Sequence, residues 1–323
     1  MNISGKDIAL WFIQNFVWLL AGAFFIVFSV TLGGMFFNLN NLHFIFYVSS
    51  MIGMLVLAES IALISGNFDL SVAQNAGLTA MLTGVLIIKF NIPGLVAVFL
   101  TIIIGGILGA FNGYFIGKRG LNPFLVTLST YLMFDWLTYV IRQTSILDLP
   151  GIYMFPGQGK IGGIYAAIFI FLIAAVLLFL FLKKATYGNY IYAVGGNPDA
   201  TVMVGVNAGN VVFWVFVLSG ALSGVAGLLY TGYAGAVTST LADGKMFMAF
   251  AGAIIGGISL AGGRGTATNA VGGIILIGII EAGLTMMMIS PQMQGFLKGV
   301  LVFVAILINQ FRTTFRKRLL MPS

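Results

Sequence analysis

The chain contains no cysteine, one histidine and very few charges. Without cysteine there can be no disulfide, thiolate nucleophile or Cys-ligated metal. The lone imidazole, His43, stands at the edge of an apolar run, where an interfacial anchor is the plain reading, and no Ser/His/acid or metal constellation can be built around it. A phosphate loop is missing as well. No G-x-x-x-x-G-K-[ST] occurs, and Gly262-Gly263-Arg264-Gly265-Thr266 has neither the lysine nor the preceding strand. These gaps argue against an enzyme of those kinds. The scarcity of charge excludes more: Asp, Glu, Lys and Arg make up 7% of the residues, against about 25% in soluble domains. A soluble protein must still cover its surface with polar groups, so lipid is the expected solvent.

What is present fits that solvent. Hydrophobic residues are 60% of the chain and glycines number 43, which suits close packing of membrane helices. The net charge of +7 comes from short basic clusters between apolar runs. It forms no basic stripe of the kind that binds nucleic acid, so no nucleic-acid partner is expected. Hydropathy and breaks predict an all-α integral membrane protein of about ten transmembrane helices, in one transmembrane domain over 1–323. The spans fall near 10–32, 43–64, 76–90, 94–117, 122–141, 163–182, 210–231, 246–260, 268–290 and 295–311. The first exceeds a signal peptide's apolar region and reads as a retained span.

Charge orients the chain. With both termini cytoplasmic, Lys118-Arg119, Lys183-Lys184, Arg264 and the tail Arg312, Arg316, Lys317, Arg318 all fall inside. Only scattered single charges then remain outside. A faint internal echo accompanies this: Ser65–Leu82 and Ser259–Leu276 share a serine, an Ala-x-Asn-Ala step and a final Leu, as duplicated transporter halves can.

Three local patterns bear on function. The loop 183–209 on the inside carries Asn197 as N-cap, Pro198 at the first helical position, Asp199 against the helix dipole and Gly205 as the stop. This predicts a two-turn helix over Asn197, Pro198, Asp199, Ala200, Thr201, Met203 and Gly205, either a capped linker or a docking knob. Glycines at 105, 109, 113 and 117 align on one helix face, as do Gly220 with Gly224 and Gly252 with Gly256; packing is the expected role. Finally, Glu59, Asp135 and Glu281 lie inside apolar runs, with Asn75, Asn112, Thr127, Ser129 and Thr130 nearby in depth. Ionisable groups there face a cavity or a partner, while the amides and hydroxyls can equally serve interhelical bonds. Asp69, just after Gly66, is placed to cap a helix restart near Ser71.

Several of these stretches together resemble a known family. Glu59 through Val72, with its Asp69-Leu70-Ser71, is similar to the signature of ribose-type (simple sugar) ABC transporter permeases, a branched-chain amino acid/ribose-type family. Further blocks follow in the family's order: Asn112-Gly113, then Asn122-Pro123-Phe124 and Thr127-Leu128-Ser129-Thr130, then Tyr192 through Asn207, then Gly256 through Gly265. Ala73-Gln74-Asn75 departs from the glycine that usually follows, and the first span matches nothing diagnostic.

The resemblance implies a subunit of the prokaryotic cytoplasmic membrane that carries a sugar or sugar-like solute. Its implied partners are two ATP-hydrolysing subunits, an extracytoplasmic solute-binding protein and a second permease copy, identical or similar. ATP and Mg would be used by the partners and no cofactor would be bound by this chain. The segment 197–207 then corresponds to the family's coupling loop, and outside loops 142–162 and 232–246 would meet the binding protein. Glu59, Asn75, Asn112 and Phe124 are candidate lining of the solute path, and Gly66, Asp69, Gly262 and Gly263 candidate breaks or gates. The rival expectation is an ion-coupled secondary transporter in which Glu59 or Glu281 carries the proton.

Overall fold

The computed structural model describes residues 5–290 and, beyond them, 293–297, 299–300, 303–304, 306–307 and 310. The expected span 295–311 is therefore only partly described, and the basic tail lies outside the described residues. The chain opens with α1 (Gly5–Leu32), followed by α2 (Leu39–Ile64), α3 (Val72–Phe90) and α4 (Gly94–Gly113), which runs on into a π-helical turn, Tyr114–Lys118. Next come α5 (Pro123–Ile141), a short α6 (Gly151–Gln158) and a hairpin of β1 (Lys160–Ile161) and β2 (Ile164–Tyr165). Then follow α7 (Ala166–Lys184), α8 (Thr186–Gly196), α9 (Pro198–Met203), α10 (Ala208–Ala234), α11 (Lys245–Ile255) and α12 (Ala267–Met286). Among the described residues seven helices are long and apolar enough to cross a membrane: those beginning at Asn15, Leu39, Val72, Gly94, Pro123, Ala166 and Ala208. The molecule is an all-α membrane protein, multi-pass by this measure.

Local chemistry sets the boundaries. Asn38 caps α2 by accepting from the Asn41 amide, and Asn122 caps α5 with Pro123 at its first position. Asn91, at a φ of 50°, stops α3, and Pro93 restarts the chain as α4, so the apolar runs 76–90 and 94–117 form separate helices, as expected. The Gly162-Gly163 pair, both at positive φ, makes the tight turn between β1 and β2.

Three expectations need correction. The supposed eighth span, 246–260, is only the 11-residue α11; at 1.5 Å per residue it rises about 16 Å, roughly half the hydrocarbon thickness. Gly257, at a φ of 89°, ends it. The outer loop 142–162 holds α6, whose Tyr153 is wholly buried and whose Gly157 lies against the backbone of Leu229 and Gly232. The loop 183–209 is mostly helix, because α8 fills 186–196 before the predicted capped helix begins.

Packing centres on α2, whose every residue from Tyr47 to Ile64 is buried. Against it sit α10, α12, α11 and α7. The tightest seam joins α4 to α10. A Cβ on Gly105, Gly109, Gly113 or Gly117 would strike backbone atoms of Gly220, Phe216, Phe213 or Gly209 respectively. The four-residue glycine spacing is thus a packing face, as its pattern predicts. By contrast α5 shows a largely apolar surface outward, including Leu125, Leu128, Leu132, Trp136 and Val140.

Candidate functional site

The elements bearing most of the candidate residues meet at one end of the bundle, around α9. Its N-cap is Asn197, whose side chain accepts from the Ala200 amide at 3.0 Å. Thr201 is the buried residue of the helix, and its hydroxyl donates to the Asn197 carbonyl at 2.7 Å. Gly205, at a φ of 85°, closes the helix: its N–H donates to Val202 and the Val206 N–H to Thr201. That pair of bonds satisfies the last carbonyls of the helix. The capped two-turn helix expected from sequence is present, and Pro198, Asp199, Ala200, Val202, Met203 and Val204 face away from the protein. Met203 is 86% exposed and Val204 78%. Asn207 then caps α10 by accepting from the Asn210 amide, and the Lys118 ammonium donates to the Asn210 side chain.

Behind α9 the chain breaks twice. At the first break α2 ends with Gly66 at a φ of 80°, where the Gly66 N–H donates to Leu63 and the Asn67 N–H to Ala62. At the second, α11 ends in the same way: the Gly257 N–H donates to Ile254 and the Ile258 N–H to Ala253. The two Ala-x-Asn-Ala steps open the helices that restart beyond, α3 and α12.

The breaks touch. The Gly263 N–H donates to the Ile64 carbonyl at 2.8 Å. Gly195, near the end of α8, sits between them, since a Cβ there would meet Ile64, Ser65 and Gly263 backbone. Gly262 in turn lies against Gly66 and Gly195. Gly66, Gly262 and Gly263 therefore form one backbone-to-backbone joint with Gly195, which no local pattern in the sequence marks. Beside the joint is a cavity of about 480 Å³ lined by residues such as Asn67, Gly117, Pro198 and Ala261.

Side chains reinforce the first break. Asp69 is 2% exposed. Its carboxylate accepts from the Ser71 amide at 3.2 Å, the Ser71 hydroxyl at 2.6 Å and the Ser219 hydroxyl at 2.8 Å. It holds the start of α3, as expected, and ties it to α10. Asn112 on α4 donates to the Ser71 hydroxyl at 2.8 Å, so α2, α3, α4 and α10 converge here. No local pattern marks Ser219 in the sequence; its role exists only because α10 passes the break.

Of the four candidate path residues, three are buried and one is not. Glu59 is 1% exposed and lies beside Asp69; no donor among the described residues reaches its Oε1. Asn75 donates to the Gly105 carbonyl at 3.2 Å and accepts from the Thr79 hydroxyl at 3.0 Å. Asn112 keeps a buried Oδ1 with no hydrogen-bond partner among the described residues. Phe124 stands 48% exposed on the surface of α5, apart from the others. Thr127, Ser129 and Thr130 return their hydroxyls to their own helix, at the carbonyls of Pro123, Leu125 and Val126. These are bonds within one helix rather than the interhelical bonds expected, except that the Thr127 hydroxyl also reaches the Phe68 carbonyl at 3.3 Å.

A match to residues 41–306, from α2 onward, decides the family. The chain belongs to the permease components of the branched-chain amino acid transport system family. The permease is 29% identical over 296 residues to a fructose import permease of Rhizobium meliloti, covering 88% of this chain and 82% of that protein. It is 31% identical over 276 residues to the D-allose transport system permease of Escherichia coli K12, covering 85% of each. With the ribose import permease of the same strain it shares 28% over 284 residues, 86% of this chain and 88% of that one. No solved structure matches. Family and apolar helices together make it a multi-pass protein of the prokaryotic inner membrane.

Proposed function

We propose that this permease is the membrane-spanning subunit of an ATP-driven importer for a sugar or sugar-like solute, working by alternating access. Relatives named for fructose, D-allose and ribose import support the cargo class. In this reading ten passes, the eighth made by the short α11 together with the chain beyond it, leave both termini in the cytoplasm. Lys118-Arg119, Lys183-Lys184 and Arg264 lie at the α9 end of the bundle, which would then be the cytoplasmic one.

The observation that carries the proposal is α9 itself. A six-residue helix, capped at both ends, leaves Val202, Met203 and Val204 exposed at the end of the bundle that carries the basic clusters. Exposed apolar clusters of this kind mark partner surfaces. The partner would be an ATP-hydrolysing subunit, with a groove for residues 197–205. ATP binding and hydrolysis there would move α9, and with it α8 and α10, which flank it directly. α8 reaches the glycine joint and α10 reaches Asp69, so a displacement would arrive at both breaks. At the opposite end, 142–162 and 232–246 would receive a solute-binding protein. The Ile146–Val237 backbone pair, at 2.9 and 3.0 Å, already joins those two segments. A second permease copy, identical or similar, would complete the transporter. Glu59, Asn75 and Asn112 are proposed as polar groups lining the path in another state of the cycle.

The absence of native cysteine makes the test clean. Met203→Cys should crosslink to a co-expressed ATPase subunit, and Met203→Asp should abolish ATP-driven uptake in proteoliposomes while leaving thermal unfolding unchanged. The second reading, an ion-coupled transporter, draws on Glu59, buried with an open carboxyl oxygen. Uptake that follows a proton gradient with no ATPase present, and stops in Glu59→Gln, would replace the first reading with the second.

A further inference from the structure

At the end of the bundle opposite α9, four elements begin or finish around a hollow: α2 and α11 begin, and α10 and α12 finish. The cavity between them is about 230 Å³. At about 30 Å³ per water, that is room for roughly seven or eight waters, the scale of one monosaccharide. Its floor is apolar, from Phe44, Val48 and Met51 of α2. Tyr230 and Tyr233 of α10 form a wall, and the rim carries Lys245, Glu281 and the hydroxyls of Thr238, Thr240 and Thr285.

The wall is built rather than incidental. Tyr233 meets Tyr47 edge-on at 5.6 Å, and Tyr47 stacks on Tyr165 at 3.8 Å with the planes 9° apart. The Tyr47 hydroxyl donates to the Gly157 carbonyl at 2.8 Å, anchoring the cluster to α6. The Lys245 ammonium sits 4.7 Å over the Tyr230 ring, and Glu281 is close enough to both tyrosines to act on them electrostatically. Charged groups are costly in an apolar bundle and mark function when they line a cavity.

The chemistry selects a ligand class. One lysine and one carboxylate balance, so the cavity has no net pull on a charged solute. Carboxylate and threonine oxygens accept from hydroxyls, and ammonium and threonine groups donate to ring or hydroxyl oxygens. Aromatic faces and an apolar floor take the C–H face of the same molecule. We propose that this cavity is a binding station for one neutral, polyhydroxylated solute of monosaccharide size, held within a single copy of the chain. The proposal rests on the sugar-importer reading for its physiological meaning, but not for its test.

The test uses the full chain in lipid nanodiscs without ATPase or binding protein, titrated with D-ribose, D-allose and D-fructose by saturation-transfer NMR, with L-leucine as comparison. At least one sugar should bind and leucine should not. Tyr233→Ala and Glu281→Gln should each weaken binding at least tenfold, and Tyr233→Phe should retain it by keeping the ring. Thr285→Val, at an exposed position, should weaken binding about threefold and covers the case in which a larger change unfolds the protein. No binding by any sugar, preferential binding of leucine, or wild-type binding in both Tyr233→Ala and Glu281→Gln would overturn the proposal. ATP-driven uptake by the assembled importer is measured separately. Sugar binding without ATP coupling would leave this site standing and remove the importer reading, and coupling without binding would do the reverse.

Discussion

The two chain breaks are built alike at their entrances and differently inside. Both α2 and α11 end on a glycine in the left-handed region, Gly66 and Gly257, with the same pair of closing hydrogen bonds. Beyond that point the first break is short and locked by side chains, with Asp69 accepting three hydrogen bonds and Asn112 reaching in from α4. The second, 258–266, is longer and has no acid. Its internal bonds are mostly backbone, Ser259 N–H to Arg264 and Gly262 N–H to Ser259, with the Tyr192 hydroxyl donating to Gly265 at 3.0 Å. One stop signal thus serves two devices: a break fixed to its neighbours through polar side chains, and a break fixed by the path of the chain.

That contrast can be broken most severely where the two meet. Gly195→Ala places a Cβ on the Ile64 carbonyl and 2.7 Å from the Gly263 nitrogen, neither of which can rotate away. The expected cost is at least about 3 kcal/mol, read as loss of monodisperse protein and of thermal stability in detergent. Gly196→Ala, with nothing within 4 Å of the new Cβ, should leave both unchanged. Next in size, Asp69→Ala strands the Ser71 amide and the Ser71 and Ser219 hydroxyls. It should cost about 2–3 kcal/mol in thermal unfolding. Arg264→Ala, an exposed side chain in the second break, should stay within about 0.5 kcal/mol. Equal effects of these two would erase the distinction between side-chain and backbone locking.

A smaller change should follow from Tyr192→Phe, which removes the bond to Gly265 and should cost about 1 kcal/mol. Hydrogen exchange should show faster opening at 259–266 and no change at 65–71.

The smallest effect lies away from both breaks, in the segment between α10 and α11. Burial, with Asp135 adding to it, raises the Asp243 carboxyl above the usual carboxylate range, while Lys245 opposes. Folding then favours the protonated form, so the penalty is absent in acid and sets in as pH rises through the folded value. Asp243→Asn should therefore melt slightly higher than the parent at neutral pH, and the gain should vanish as the pH falls. A gain that persists in acid would remove the carboxyl as its cause.

Much of the architecture was legible in the sequence because its causes are local. Asn197, Pro198 and Gly205 specify α9 through capping, and Gly105 through Gly117 specify a packing face through spacing. Even Asp69 as the cap of a restart could be read from its neighbours. What escaped reading depends on distant parts of the chain. Ser219 matters because α10 passes Asp69, and Gly195 because two breaks close on it. Helix α6 is hidden by Pro150 and Pro156, which read as loop but are accommodated before its first turn and inside it. The eighth span was overextended because Gly256-Gly257 interrupts a run that hydropathy alone continues. The internal echo matched the restarts but not the stops, since the second break is longer.

The glycine joint has a mechanical meaning of its own. Contacts between side chains can yield by changing rotamer, so neighbouring helices slip past one another by small amounts. At Gly66, Gly195, Gly262 and Gly263 there are no rotamers to change, only main chain against main chain. Such a bearing has almost no play: a push on α8 is passed to both breaks together, or it pulls the three apart.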